Sequence, residues 1–208
     1  QIDTETMVLN PSKTPVTTIV RMAADSWAKA LEERQQTLRI EGLEDLPPIV
    51  ADGKRLKQVF SHLIQNAIKF TPDGGHIRIT GRAIDAEMPA QDQTIEIVVA
   101  DNGIGIAPDD LGRIFKRFYR AGDVLTHSTG RIKFKGAGPG LGLTIARGIV
   151  EAHGGRIWAE SSGHDDRMRP GSQFHVVLPV QTQRLKQTGL DAFMAAMRAD
   201  TEQVEIAL

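Results

Sequence analysis

The chain has 208 residues, 40% of them hydrophobic, which is the size and composition of one globular domain. Its 25 basic and 26 acidic residues leave a formal net charge of −1, so there is no general reason to expect binding to nucleic acid or to a membrane surface. The absence of cysteine excludes disulfides and thiolate metal sites, and the short apolar runs predict no membrane-spanning segment.

The first half of the chain predicts two amphipathic helices. Thr14 and Pro15 form a cap and first-turn pair, and apolar residues follow at helical spacing as far as Leu31. Asp52 is the candidate cap of a second helix, whose apolar side carries residues from Leu56 to Ala67. The run 71–75, Thr-Pro-Asp-Gly-Gly, predicts the stop of that helix and a turn.

The second half alternates strand and helix patterns. Residues 76–83 and 94–100 alternate in polarity like strands, Pro108 starts a short helix, and 141–153 form a mostly apolar helix that ends at Gly154 and Gly155. Further strands are predicted at 156–160 and 173–178, and the tail from residue 181 has a helical pattern. The predicted fold class is α/β, a two-layer sandwich of a mixed, largely antiparallel sheet covered on one face by helices.

Three polar side chains form a stripe on the second helix. His62, Asn66 and Lys69 follow the spacing i, i+4, i+7 and therefore share one side of the helix. An amide oxygen suits Mg²⁺, and a lysine ammonium suits phosphate oxygens. A solvated helix face explains the same spacing, so the stripe alone leaves both interpretations open.

Two glycine-rich segments are candidate ligand loops. Asp101 follows an apolar strand and precedes Gly103 and Gly105, so its carboxylate could accept from an exocyclic amine beside a closely approaching backbone. A plain glycine turn is the alternative. The run 136–142 opens a helix and could expose amides to phosphate, although it matches neither the Rossmann register nor a P-loop.

Three arginines are spaced at i, i+4, i+7 after Pro108. Arg113 and Arg117 are expected to be solvated on the short helix, whereas Arg120, beside a long loop at 121–138, could equally be solvated or contact phosphate. A loop of that length within a compact domain is usually functional.

The order of these segments resembles the GHKL ATPase superfamily and, within it, the sensor histidine kinases. Four stretches of the chain resemble sequence motifs of these kinases. They are the Asn box at 62–71, the first glycine box at 101–105, the phenylalanine box at 114–120 and the second glycine box at 138–143. The stretch from 150 to 174 is also similar to these kinases, so the resemblance covers roughly residues 14–180.

The resemblance implies the Bergerat nucleotide-binding fold and a site for ATP with Mg²⁺. Asp101 would read the adenine amino group, Asn66 would hold Mg²⁺ and Lys69 would meet a phosphate. The other residues implied at this site are Phe70, Gly103, Gly105, Arg120, Gly138, Gly140, Leu141 and Gly142. The loop 121–138 would be the lid over ATP. His62 stands where many relatives carry Asn or Glu, which leaves open whether it neighbours Mg²⁺ or acts as a base. Pro139 replaces the commoner Thr or Ser.

The resemblance also implies partners. No histidine of this chain lies in a phosphoacceptor-like helix, so the acceptor is expected on a dimerisation hairpin of a longer parent kinase, with a response regulator downstream. Residues 1–13 would be the linker after that hairpin, 14–180 the ATP-binding domain and 181–208 a helical extension. The piece itself is expected to be monomeric and cytoplasmic, without contact to nucleic acid or membrane, although its parent could be membrane-anchored.

Two other functions compete with histidine phosphorylation. An ATP-driven conformational clamp of the same superfamily would need a base to activate water, and no Asp or Glu occurs from residue 58 to 71. A degenerate domain that only binds a partner is disfavoured by the intact Asp101, Asn66 and glycine pattern.

Overall fold

The computed structural model of the protein describes residues 9–84, 87, 89, 93–119 and 140–181. Arg120, Gly138, the predicted lid at 121–138 and the predicted tail helix lie outside these ranges. The elements in chain order are β1 (Ser12–Thr14), α1 (Val16–Asp25), α2 (Ala28–Glu33), β2 (Thr37–Glu41), β3 (Ile49–Ala51), α3 (Gly53–Phe70), β4 (His76–Ile84), β5 (Thr94–Asp101), α4 (Pro108–Leu111), α5 (Gly142–Ala152), β6 (Arg156–Glu160) and β7 (Ser172–Pro179).

A five-stranded sheet is the centre of the fold, with the strand order β2-β4-β5-β7-β6. The β2–β4 pair is parallel, and the other pairs are antiparallel. Ile95, Ile97 and Val99 alternate along β5 and are fully buried, because every second residue of a strand points to the same face. Helices cover that face, which confirms the predicted two-layer sandwich and its mixed, largely antiparallel sheet.

Helix α3 is the longest helix of the described chain and lies within the core. As predicted, the Asp52 side chain caps it by accepting a hydrogen bond from the Arg55 amide at 3.0 Å. Its apolar side, which includes Phe60 and Leu63, is fully buried. The polar side chains of α3 are therefore confined to the remaining arc, where they can meet a ligand.

Helix α5 packs antiparallel to the first half of α3, and a histidine lies at each end of this contact. Gly142 at the start of α5 lies against His62. At the other end, His153 Nε2 accepts from the Asp52 amide at 3.0 Å, and Nδ1 is 2.7 Å from the Ile149 carbonyl, to which it donates. His153 therefore connects the end of α5 to the cap of α3.

The N-terminal helix differs from its prediction. It is broken at Ser26 and Trp27 into α1 and α2, and its N-cap is Pro15 without a side-chain hydrogen bond, since Thr14 is the last residue of β1. The Trp27 indole donates to the Ser61 hydroxyl of α3 at 2.8 Å. This tertiary bond satisfies a polar group that an uninterrupted helix would direct elsewhere.

The short helix after Pro108 is also different. It ends at Leu111, so the predicted stripe of arginines on a continuous helix is wrong. Ile114 and Phe115 are buried, whereas Phe118 has a φ of 57° and is 61% exposed. Instead of facing solvent alone, Arg113 lies over the Tyr119 ring and Arg117 over the Phe118 ring, with centroid distances of 4.8 and 5.4 Å.

Three short strands were not predicted. β1 and β3 form a small antiparallel ribbon, and β2 pairs with β4 at the edge of the main sheet. In contrast, the predicted end of α5 is confirmed, because Gly154 has a φ of 75° and the Gly155 amide donates to the Val150 carbonyl. Among the described residues, no helix combines the length and the apolar character needed to cross a membrane.

Candidate functional site

The predicted polar stripe lies on α3 beside the start of α5. His62, Asn66 and Lys69 are all half-buried, as expected for side chains at the border between core and solvent. In the described part of the chain, the Asn66 amide has no hydrogen-bond partner, whereas Lys69 lies over the Phe70 ring at 4.8 Å. The stripe therefore presents an unengaged amide beside a cation, which is the chemistry that a metal–phosphate ligand requires.

His62 lies where the stripe meets α5. A Cβ placed on Gly142 would be 3.2 Å from His62 Nδ1, so any other residue there would push the ring away by a few tenths of an ångström. Its Nε2 is buried and has no hydrogen-bond partner within the described ranges. Burial lowers the pKa of His62, so the ring is neutral at pH 7. It can accept a hydrogen bond or a proton there, but it does not supply a positive charge.

Asp101 ends β5 with its carboxylate held in place. Oδ1 accepts from the Gly103 amide at 2.8 Å, and Oδ2 accepts from the Ser172 hydroxyl at 2.9 Å. Burial raises the pKa of Asp101 to about 6, although both hydrogen bonds oppose that shift. At neutral pH the group is therefore a partly desolvated carboxylate, whose remaining lone pairs suit a planar amine donor.

The first glycine box closes tightly around Asp101. A Cβ on Gly103 would lie 2.3 Å from the Phe70 carbonyl oxygen and 2.7 Å from Asp101 Oδ1. The Ile104 amide donates to that same Phe70 carbonyl at 3.1 Å, and the Gly171 amide donates to the Gly103 carbonyl at 2.9 Å. The glycine loop is thus attached to both the end of α3 and the start of β7, and the backbone has no room for side chains.

Two buried polar residues anchor the end of α3. Arg34 donates to the carbonyls of Ile68 and Thr71 at 3.2 and 3.0 Å and forms an ion pair with Asp73. Gln36 Nε2 donates to the same two carbonyls at 3.1 and 2.7 Å. The final carbonyls of a helix have no partner within it, so these side chains fix the turn that carries Lys69 and Phe70.

The second glycine box enters α5 beside the phenylalanine box. Gly140 has a φ of 70°, and a Cβ there would lie 3.0 Å from the Phe118 and Tyr119 backbone. Leu141 is the half-buried N-cap of α5, and the Thr144 hydroxyl donates to the Phe115 carbonyl at 3.0 Å. Although these two boxes are apart in sequence, they are in contact, so the start of α5 is held against the predicted site.

The structure thus brings together two sets of predicted site residues. His62 and Gly142 are in contact, and Phe70, Asp101 and Gly103 form one cluster at the end of β5. Gly105 lies instead against Ser161 and Gly163. Sequence reasoning missed Ser172, Arg34 and Gln36. Ser172 lies in the stretch that resembles the kinases. Its role could have been found only by knowing that β7 pairs with β5, because this pairing places Ser172 opposite Asp101. Nothing local marks Arg34 or Gln36 in the sequence.

Comparison with known proteins agrees with this geometry. Residues 51–182 match the family described as histidine kinase-, DNA gyrase B- and HSP90-like ATPases. The adaptive-response sensory kinase SasA of Synechococcus elongatus is 34% identical over 176 residues, which are 85% of this chain and 40% of SasA. The chain therefore spans less than half the length of that curated relative.

Solved structures show the same fold. Full-length ShkA in complex with AMPPNP is 26% identical with a TM-score of 0.64, covering 85% of this chain and 32% of that one. The histidine kinase ThkA in complex with the response regulator TrrA is 23% identical with a TM-score of 0.64, covering 85% of this chain and 44% of that one. From its sequence match, the chain belongs to the histidine kinase-, DNA gyrase B- and HSP90-like ATPase family, as a domain of the histidine kinase type.

Proposed function

We propose that this chain binds Mg-ATP and donates the γ-phosphoryl group to a histidine on a separate helical domain of its parent kinase. The observation that carries the proposal is the desolvated Asp101 carboxylate, held by Gly103 and Ser172 beside the end of α3. A carboxylate in this position would accept from an adenine amino group, while Lys69 and the amides at the start of α5 would meet the phosphates.

Mg²⁺ fits the site only together with the nucleotide. Within the described residues there is no group of three or more His, Asp or Glu side chains that could hold a metal ion. Asn66 has an unengaged amide oxygen, and Mg²⁺ in phosphate sites takes few protein ligands besides phosphate and water. Asn66 would hold the ion, which when bound would neutralise charge on the triphosphate.

His62 and Lys69 would complete the catalytic side of the stripe. Lys69 would bind a phosphate oxygen as a point charge. His62 is neutral, so it would accept a hydrogen bond close to the transferred group instead of adding charge. The further contacts proposed for Arg120, Gly138 and the lid at 121–138 rest on the resemblance, because these residues lie outside the described ranges.

The partners follow from the same proposal. The curated relative is longer than this chain, which supports a phosphoacceptor hairpin elsewhere in the parent, and ThkA was solved with a response regulator. We propose that residues 14–180 form the ATP-binding domain after a linker at 1–13. The final segment, 181–208, would be an extension. On this proposal the domain is monomeric and works in the cytoplasm.

Calorimetric titration with ATP, with and without Mg²⁺, tests the proposal. Asp101→Asn should weaken binding on the order of tenfold to a hundredfold, because a charged hydrogen bond is worth about 1.5–3 kcal/mol. The exposed Asp109→Asn is its matched control. Asn66→Ala should lose more affinity with Mg²⁺ than without it, whereas its neighbour Gln65→Ala should not.

The transfer reaction needs a second measurement. With radiolabelled ATP, the chain alone should become neither labelled nor appreciably active in releasing phosphate. The reason is that an ATP site without an aligned acceptor should be nearly idle. Adding the parent's hairpin should produce an acid-labile label on the hairpin. Rapid phosphate release without any acceptor would contradict the kinase proposal and favour the ATP-driven clamp.

A further inference from the structure

An open groove of about 340 Å³ runs along the outer side of α3, next to the nucleotide stripe. Its lining consists of Ser26, from the turn between α1 and α2, and six residues of α3: Lys54, Arg55, Lys57, Gln58, Ser61 and His62. Three of the seven carry a positive charge and none is acidic. This is a local concentration of charge in a chain whose net charge is −1.

The two lysines of the groove are not paired with a carboxylate within the described residues. Lys54 is exposed and Lys57 half-buried, and neither lies within ion-pair distance of a carboxylate in that part of the chain. The Ser61 hydroxyl accepts from Trp27, so its own hydrogen remains available to an acceptor. The groove therefore offers donors and positive charge, which suit a carboxylate-bearing surface.

The groove shares His62 with the candidate nucleotide site. Asp101 and its glycine loop are attached to the Phe70 end of α3, and the proposed function places the phosphates along the stripe from Lys69 to His62. His62 lies eight residues before Phe70, or about 12 Å along the helix. The groove begins at this far end of the stripe, where a phosphoryl acceptor has to approach.

The chain also enters the domain at the same end of α3. The Asn10 amide donates to Asp52 Oδ2 at 3.0 Å, and Asp52 caps the helix two residues before Lys54. The first described residues of the chain therefore lie at the start of α3. The acceptor hairpin, which the proposed function places upstream, is tethered close to the groove.

We infer that the groove formed by Lys54, Arg55 and Lys57 docks an acidic face of the phosphoacceptor hairpin and so presents the acceptor histidine to the nucleotide. This inference rests on the proposed function. The docking residues act on the acceptor protein and not on ATP, so their loss affects the two substrates differently. Surface charges of this kind act mainly on encounter and are screened by salt.

Charge reversal of the two lysines tests the inference. Arg55 is left in place because its charge also acts on the Asp52 cap. The doubly reversed Lys54→Glu, Lys57→Glu variant should raise the KM for the separately expressed hairpin roughly tenfold at low salt. Its Kd for ATP should not change, and Lys54→Gln with Lys57→Gln should give an intermediate KM.

The matched control reverses the exposed Arg78 and Arg156 on the sheet, with the same change in net charge. This control should leave the hairpin KM unchanged, and added salt should reduce the difference between the lysine variant and the wild type.

An unchanged hairpin KM in a folded lysine variant would overturn the inference. A change confined to ATP affinity would assign the groove to the nucleotide, and one confined to transfer onto the response regulator would assign it to that protein. If the wild type labels no hairpin, the proposed function itself fails.

Discussion

The paired anchors at the end of α3 allow a double-mutant cycle that measures how firmly this turn is held. In a continuing helix, the Ile68 carbonyl would accept a hydrogen bond from the backbone amide of residue 72, but Pro72 has no amide hydrogen to donate. Arg34 and Gln36 replace that partner and also bind the Thr71 carbonyl. The perturbations are Arg34→Met and Gln36→Leu, made separately and together.

The expected energies follow from which groups lose their partners. Arg34→Met removes two charge-assisted hydrogen bonds to carbonyls and the ion pair with the exposed Asp73, which adds little. Both carbonyls keep the Gln36 amide, so the loss should be about 3 kcal/mol. Gln36→Leu leaves Arg34 in place and should cost about 1–2 kcal/mol. In the double variant, both buried carbonyls lose these two donors. The combined loss should therefore exceed the sum by about 1–3 kcal/mol.

Urea unfolding followed by circular dichroism gives the four free energies of unfolding. Arg39→Met, on the exposed side of β2, is the control for removing an arginine and should change stability by less than about 0.5 kcal/mol. Strict additivity of the Arg34 and Gln36 variants would refute the shared-carbonyl reasoning. A small loss for Arg34→Met alone would instead show that its hydrogen bonds are offset by the cost of burying the guanidinium.

The remaining predictions concern strain and titration. Gln35 has a φ of 51°, so Gln35→Gly should stabilise the fold by roughly 0.5 kcal/mol in urea unfolding, after the entropy of glycine is subtracted. Ser172→Ala removes a hydrogen bond that lowers the pKa of Asp101, so an NMR titration should place that pKa above its wild-type value of about 6, and ATP affinity at pH 6.5 should fall. The pKa of buried His153 is lowered in the folded state, so its contribution is complete above the unfolded value near 6.5 and is lost as pH falls through that value toward the folded pKa. The stability of His153→Gln should therefore vary less between pH 7 and 5 than that of the wild type. Burial also lowers the pKa of His62, so His62→Gln should likewise reduce the dependence of stability on pH. Equal slopes of stability against pH in the wild type and both variants would contradict these pKa directions.

Most of the secondary structure at the centre of the domain could be predicted because its signals are local. The apolar period of α3, the Asp52 cap and the glycine end of α5 each depend on residues within a few positions of one another. The structural features needed only spacing and residue type. The order of the four boxes, which came from the resemblance to a family, pointed to Phe70, Asp101 and Gly103, which lie together in the structure.

What the tertiary structure decided lies in contacts between distant positions. Ser172 reaches Asp101 across 71 residues, His153 reaches Asp52 across 101, and Arg34 reaches the end of α3 across more than 30. The Trp27 indole, at the break between α1 and α2, donates to an acceptor 34 residues away, and β2 pairs in parallel with β4. Periodicity reports which face of an element is buried, but it carries no information about which distant group supplies a missing hydrogen-bond partner. Buried polar atoms must find such partners, and only the packed arrangement of the elements determines which residues they are.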